Sequence, residues 1–571
     1  MPEHMPPGTL LVLGALLIPV LRGHLRSAWL LALPLVSFAH LIGLGHGSYG
    51  EIQLFDYHLT LARIDKLSLV WGYIFHLAAF LCALYSLHVK DPIQHMAGLI
   101  YAGSAIAGAF AGDLITLFVC WELTAVSSVF LIWARHTDRS YKAGMRYLVI
   151  QVGSGVILLA GVLIHYGDTG SLAFVHLGDL SFTDNLGPTL IFIAFGIKCA
   201  FPFLHNWLQD AYPEATATGT VFLSAFTTKL SVYALARGFA GTDILIPIGA
   251  VMTAFPVFFA VIENDLRKVL AYSLNNQLGF MVVGVGVGTT MAINGAASHA
   301  FAHILYKALL FMSMGAILHR VGTTKASELG MLYRSMPWTT FFCIIGAMSI
   351  SAFPLFSGFV TKSMTLTAAA NEGWNLTWFV LLFASAGVLH HSGIKIPFYG
   401  FFGHHDSGLR CKEAPLNMLL AMGITAFLCV GIGVFPEPLY GILPYPVEFE
   451  PYTASHVVTQ LQLLVFALLA FAFLARRHWE TPELPCTNVD TDVVYRKLIP
   501  SLIRGFNGIA GPTRDAFIAG GKRAAAQCVA YAYSHHGPAG VFGRTWLTSS
   551  AVLVIVALLS VYLLFAYRSG L

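Results

Sequence analysis

Three ionisable side chains, His299, His303 and Lys307, follow one another at i, i+4 and i+8 within HAFAHILYKALLFMSMGAILH, His299 to His319. The rest of that run is apolar enough to cross a bilayer, and the spacing places all three on one helix face. A lysine at the middle of a membrane helix costs roughly 2.5–3.5 kcal/mol on insertion scales, so it belongs against protein or a water-filled path and not against lipid. Two imidazoles and an amine in one stripe can accept, hold and pass on a proton. The plain alternative, for this helix taken alone, is a pair of hydrogen-bonded core histidines beside a lysine that snorkels.

Other apolar runs carry the same kind of expensive residue. Glu122 lies mid-run in LITLFVCWELTAVSSVFLIWA, Lys198 in FIAFGIKCAFPFLHNW, Lys229 in TVFLSAFTTKLSVYALAR and Lys362 in ISAFPLFSGFVTKSM. Four lysines, at 198, 229, 307 and 362, face one obvious carboxylate, so pairing cannot neutralise them all and some must release a proton at times. Two ammonium groups about 8 Å apart at an effective dielectric near 20 repel by roughly 2 kcal/mol. Protonating one therefore pushes a proton off its neighbour, which is a lateral relay along the membrane midplane. Histidines, which ordinarily titrate near neutrality, bridge the gaps. His390, His391 and Lys395 in VLHHSGIKIPFYGFF are candidates for an extension of it, although Lys395 lies nearest a loop, where a salt bridge or a snorkelling end residue reads equally well.

The elements that position these groups include broken helices. AFPF beside Lys198 and AFPL before Lys362 each put a proline, Pro202 and Pro354, inside an apolar run, and Gly358 follows the second. Proline removes a backbone hydrogen bond, which a membrane tolerates only where neighbours or water satisfy the freed carbonyls. Two such breaks in corresponding halves point to a transport path built on an internal repeat.

With 571 residues, 57% hydrophobic and 11% charged, the chain reads as an all-α polytopic membrane protein. A net charge of +4 with such long apolar runs excludes a nucleic-acid-binding role. The eight cysteines form no CxxC pair, so neither a disulfide framework nor a zinc or iron–sulfur site is predicted, and no metal ligand set is assigned. The run Gly8 to Val20 follows a Glu and a His with no basic n-region and no cleavage site after it, which predicts a first transmembrane helix and not a signal peptide. Sixteen spans are predicted in all. Alternating loops then sort by charge: Arg22 and Arg26, Lys90, Arg135 to Arg146, Arg267 and Lys268, Arg320 to Arg334, Arg410 and Lys412, and Arg476 and Arg477 fall on one side. Asp168, Asp179, Asp184, Glu372, Glu437, Glu448 and Glu450 fall on the other. The positive-inside rule makes the basic side cytoplasmic and puts the N-terminus outside. EIQLFDYHLTLARID, Glu51 to Asp65, alternates as a short outer hairpin. Arg476 to Thr545 is polar at first and then carries apolar residues at helix spacing among basic ones, an amphipathic segment for the cytoplasmic membrane surface or a partner subunit. Its glycines and prolines argue against one uninterrupted helix.

The long motifs resemble a known family. ENDLRKVLAYSLNNQLGF, Glu263 to Phe280, HAFAHILYKALLFMSMGAIL, WEL at 121–123, GIK at 196–198, FLHNWLQDAYPEATATGTVFLSAFTTKLSVYALAR and GFVTK at 358–362 are similar to the shared core of the antiporter-like subunits of respiratory complex I and of the multisubunit Mrp cation/proton antiporters, most of all the D-type branch of the Mrp subunits. The resemblance covers roughly residues 65–405. It implies a core of about fourteen helices with two inverted five-helix repeats, half-channels to either side and a central hydrophilic axis. Glu122 and Lys198 then correspond to the pair on the fifth and seventh helices, Lys229 to the eighth-helix lysine, Lys307 to the middle lysine and Lys362 to the lysine of the broken twelfth helix. Trp207-Leu208-Gln209-Asp210-Ala211 departs from the family's usual WLPDA, a change expected to matter little to the pathway. The C-terminal segment with an extra span departs from the shorter D-type chains and is similar to, though shorter than, the lateral extension of the complex I distal subunit.

On this reading residues 1–94 hold N-terminal helices and the hairpin, 95–240 the first repeat, 241–405 the second, 406–475 C-terminal helices, 476–545 the amphipathic segment and 546–571 a last span. The chain carries no Walker A, dinucleotide fingerprint or haem pattern, so no cofactor is assigned to it. The function expected is proton translocation within a multisubunit sodium/proton antiporter in a bacterial cytoplasmic membrane, beside other membrane subunits and with Na+ and H+ as the transported ions. The alternatives are a proton-conducting subunit of a redox-driven or inorganic-carbon uptake complex, and a membrane scaffold whose buried charges only lock helices together.

Overall fold

A computed structural model describes residues 5–55, 57–403, 410–476, 488–538, 540, 541, 543 and 547–569. They form two compact units, residues 1–488 and 489–571. In the first unit α1 (Thr9–Ala15) and α2 (Gly23–Gly43) precede an antiparallel hairpin of β1 (Gly47–Leu54) and β2 (Tyr57–Ile64). Then come α3 (Lys66–Ser86), α4 (Pro92–Phe110), α5 (Leu114–Trp133), α6 (Asp138–Thr169), α7 (Leu186–Cys199), α8 (Asn206–Ala211), α9 (Gly219–Ala225) and α10 (Thr227–Gly238). These are followed by α11 (Leu245–Ile262), α12 (Leu266–Val287), α13 (Thr290–Val321), α14 (Pro337–Ile350), α15 (Ser357–Asn371) and α16 (Asn375–Val388), and then by α17 (Leu416–Val434) and α18 (Ala454–Arg476). Two π-helical stretches, Leu389–Ile394 and Phe398–Phe402, continue α16.

Among the described residues, ten helices are long and apolar enough to cross a membrane. The other predicted spans are accounted for locally. α4 and α12 are full-length helices, and α7–α8, α9–α10 and α14–α15 are crossings interrupted part-way. The exception is the first span. Its α-helix covers only seven residues, followed by i→i+3 turns through Val20. At 1.5 Å per residue seven residues reach about 10 Å, too short for a hydrocarbon core of roughly 30 Å. Pro19, which lacks an N–H and resists helix continuation, lies inside the expected span.

Helix starts follow the sequence. Asp65 and Thr137 form capping boxes with Ser68 and Ser140, Asp113 accepts from Thr116 N–H at 2.7 Å, and Thr289 opens α13. α11 and α12 pack at backbone distance, since a Cβ on Gly279 would strike the Gly249 carbonyl. The hairpin is fastened to the bundle: Gly112 N–H donates to Thr60 O at 3.0 Å, Thr60 N–H to Asp113 Oδ2 at 2.9 Å, and Arg63 to Phe174 O at 2.6 Å. Arg237, on α10, donates to Asp65 at 2.7 Å. Burial pushes the Asp65 carboxyl up, but Arg237, the Ser68 N–H and Arg63 outweigh it and hold the group below its usual range.

The second unit holds α19 (Ile499–His536) and α20 (Thr548–Ser569). α19 corrects the sequence expectation, because its 38 residues run unbroken through Pro512 and five glycines. Proline's ring collides with the carbonyl four residues back, here Gly508, whose pliant backbone lets that carbonyl tilt away. The surface of α19 is exposed along most of its length, and no residue of the apolar α20 is buried within the chain.

Candidate functional site: a buried file of lysines and histidines

α13 is buried along most of its length, and His299, His303 and Lys307 are each 0% exposed. His299 Nδ1 lies 3.2 Å from Thr361 Oγ1 on α15, and its Nε2 lies 3.4 Å from the Tyr306 hydroxyl. Tyr306 donates in turn to Gln277 Oε1 at 3.1 Å, and Thr361 donates to Ser357 O at 3.0 Å. Both hydroxyls thus have acceptors of their own, so each imidazole nitrogen faces an oxygen able to take a hydrogen bond from it. The His303 ring packs edge-on against Tyr306 at 5.3 Å, and neither of its nitrogens has a partner among the described residues. Lys307 Nζ likewise has none.

The remaining lysines are held differently. Lys229 Nζ donates to Ser224 O at 2.7 Å and Thr228 Oγ1 at 3.2 Å, just past the interruption at Phe226 between α9 and α10. Lys362 Nζ donates at 3.1 Å to the carbonyl of Ile350, the last residue of α14, and sits 5.0 Å from the Phe280 ring centre. Lys395 donates to Val261 O and, at 2.8 Å, to Glu263 O at the end of α11. All three ammonium groups therefore cap the carbonyl end of a helix or half-helix, where backbone dipoles favour positive charge. Lys198, at the end of α7, donates to Trp121 O and, at 3.1 Å, to Thr124 Oγ1, and lies 4.4 Å from the Trp121 ring centre. Those contacts bracket Glu122 in sequence, yet no ion pair within 4 Å joins Lys198 to Glu122 among the described residues. The Glu122 carboxylate is half-buried, Oε1 is unpartnered, and a Cβ on Gly155 of α6 would overlap it.

The adjacent histidines part company. His391 is buried and bonds Ser392 at 2.8 Å, which donates to Ser273 of α12 at 2.7 Å, whereas the His390 ring lies 5.1 Å from Phe471 of α18. Both lie in the π-helical stretch, a distortion that recurs at functional sites. Lys395, read as a bystander or an extension, is 2% exposed and caps α11. Lys395→Ala is therefore expected to lower the thermal stability of the assembled protein while reducing transport by no more than about threefold, equivalent to ~0.7 kcal/mol. A transport loss as deep as that of Lys307→Ala would place it in the relay.

The two proline breaks match residue for residue. In AFPF, Ala200 and Phe203 have φ of 63° and 68°, and in AFPL, Ala352 and Leu355 have 56° and 74°. Left-handed backbone at non-glycine residues costs of order 1–3 kcal/mol each and persists only where the surroundings impose it. Phe203 and Leu355 are also the exposed members, at 79% and 56%. Gly358 does not belong to the break. It lies in the first turn of α15, where the lack of a Cβ admits the Ser349 carbonyl. Three buried amides, Gln151, Gln209 and Asn275, have neither side-chain nitrogen nor oxygen partnered among the described residues, and none of them is among the site residues expected from the sequence. Their signal was an amide inside an apolar run. Arg267, 1% exposed, donates to Pro213 O at 2.8 Å and Ala215 O at 3.0 Å, and so fixes the connection between α8 and α9.

Fold and file together define a polytopic membrane protein that keeps a row of ionisable groups inside its helix bundle and away from lipid. Residues 111–389 match the transmembrane family NADH:quinone oxidoreductase/Mrp antiporter. The D component of the Na(+)/H(+) antiporter of Alkalihalophilus pseudofirmus is 31% identical over 359 residues, 59% of this chain and 72% of that protein. The chain belongs to this family. Hydrogenase-4 component B of Escherichia coli is 28% identical over 421 residues, and the match spans 66% of this chain and 62% of that longer relative. In fold the chain is also similar to a chain of the membrane-bound sulfane sulfur reductase, an archaeal respiratory membrane complex, with a TM-score of 0.72 at 22% identity over 97% of this chain and 100% of that one.

Proposed function

We propose that the chain is the proton-translocating subunit of a multisubunit monovalent cation (sodium)/proton antiporter of the Mrp type, set in a bacterial cytoplasmic membrane with its N-terminus outside. The observation that carries the reading is the buried file Lys229, His299, His303, Lys307 and Lys362, with Glu122 and Lys198 as its lateral partners and His391 as a branch toward α12. The relative named as an antiporter component supports the ion pair exchanged. The paired left-handed breaks support two inverted repeats, residues 95–240 and 241–405, each giving the path one half-channel. Na+ requires oxygen ligands, and a file of amines and imidazoles repels it. The sodium path therefore lies at an interface with neighbouring membrane subunits, and this chain supplies the proton half of the exchange.

A second reading, proton conduction driven by a redox module, is favoured by the fold likeness to the reductase complex, which extends over nearly the whole chain. Everted membrane vesicles separate the two. With the full set of neighbouring subunits, added sodium is expected to collapse a respiration-driven proton gradient, and the chain alone is expected to give no response. No sodium response from a set shown to be assembled would overturn the antiporter reading in favour of the redox-driven one.

A further inference from the structure

A groove of about 490 Å³ runs between α14 and α17, lined by Trp338, Phe342, Leu416, Leu420, Gly423 and Phe427. It is almost wholly apolar and faces outward, with Trp338 59%, Leu416 71% and Phe427 74% exposed. From Leu416 to Phe427 it follows α17 for about 16 Å at 1.5 Å per residue. That is close to one leaflet of a hydrocarbon core of roughly 30 Å, whereas a partner's transmembrane helix would need a groove twice as long.

The groove ends at the first turns of α14 and α17, where Glu413 meets Trp338, and the residues just before Glu413 in the chain include the basic Arg410 and Lys412. Glu413 does not offset the charge there, because its carboxylate accepts from Trp338 N–H at 2.9 Å and Thr339 Oγ1 at 2.6 Å and so closes the start of α14. Arg320 donates to the Glu413 backbone carbonyl at 2.9 Å, and the exposed Arg410 and Lys412 make no ion pair among the described residues. We propose that the groove seats an acyl chain of an anionic phospholipid from the leaflet on the basic side, with its phosphate held by Arg410 and Lys412. Basic side chains next to a membrane attract anionic headgroups by about 1 kcal/mol each, and a tryptophan at the mouth suits headgroup depth.

The test is photocrosslinking in the assembled complex in native membranes, with p-benzoylphenylalanine replacing Leu420 and, as control, Phe379 on α16, which is 62% exposed. The Leu420 adduct is expected to be phospholipid, with anionic species enriched about thirtyfold over the control, the factor carried by roughly 2 kcal/mol from two basic side chains. The surface double variant R410Q/K412Q is expected to bring that enrichment down to the control value, and G423W to suppress the lipid adduct itself. A polypeptide adduct at Leu420, or a lipid adduct of control composition, would overturn the proposal.

Discussion

Lys307→Ala abolishes cation-dependent proton movement in everted vesicles while the complex still assembles; that is the expected result with the deepest effect. Lys307 sits at the middle of the 32-residue α13, fully buried, and is the one lysine of the file whose ammonium has no hydrogen-bond partner among the described residues. Alanine removes no hydrogen bond or ion pair between helices, only the packing of the buried aliphatic stem, so the complex is expected to assemble. The relay loses the station between His303, one turn away, and the branch at His391. A proton would then have to cross apolar packing, where an unpaired charge is far more costly than on an amine. Wild-type transport by an assembled Lys307→Ala complex would sink the relay.

Glu122→Ala is expected to reduce transport to the same background. Glu122 is the only carboxylate among the seven relay residues, and it is half-exposed at the flank of the bundle, beside Lys198 and against α6. Removing it leaves Lys198 with a carbonyl, a hydroxyl and an aromatic face and no anion nearby. The sharper test is Gly155→Ala. It alters no ionisable group, yet the added methyl must displace the Glu122 carboxylate. Transport should fall well below wild type in an assembled complex, and it should be restored by no change in external pH. Normal transport by Gly155→Ala would show that the carboxylate's position is unimportant, and normal transport by Glu122→Ala would remove it from the path.

What the sequence revealed follows from which forces act locally. Apolar run length and prolines act through the residues they touch, so the spans after the first and the breaks at Pro202 and Pro354 were legible. The partners of the lysines were not, because Ile350 O for Lys362 and Glu263 O for Lys395 are carbonyls, and every residue has one. Nor could the sequence tell His390 from His391, since a π-helical turn sets which of two neighbours faces inward. The amides at Gln151, Gln209 and Asn275 were visible as letters, but their burial without partners is a tertiary fact. Gln209, which stands where the family has the proline of WLPDA, puts at a buried position an amide that is unpartnered among the described residues. The unbroken α19 ran against local propensity, and propensity is a weak prior.

Lys229 and Lys362 each reach from the second half of an interrupted helix to a carbonyl of the first half, Ser224 O across Phe226 and Ile350 O across the Pro354 break. Each ammonium is thus a strut between two rigid rods, and charge on it tightens the joint. Thermodynamic linkage makes this reciprocal: whatever free energy a proton lends to the angle between the rods, a push on that angle returns to the proton. On the proposed relay, a push on either pair of half-helices would load or unload an ammonium without touching an ionisable group, which would couple mechanical strain to charge.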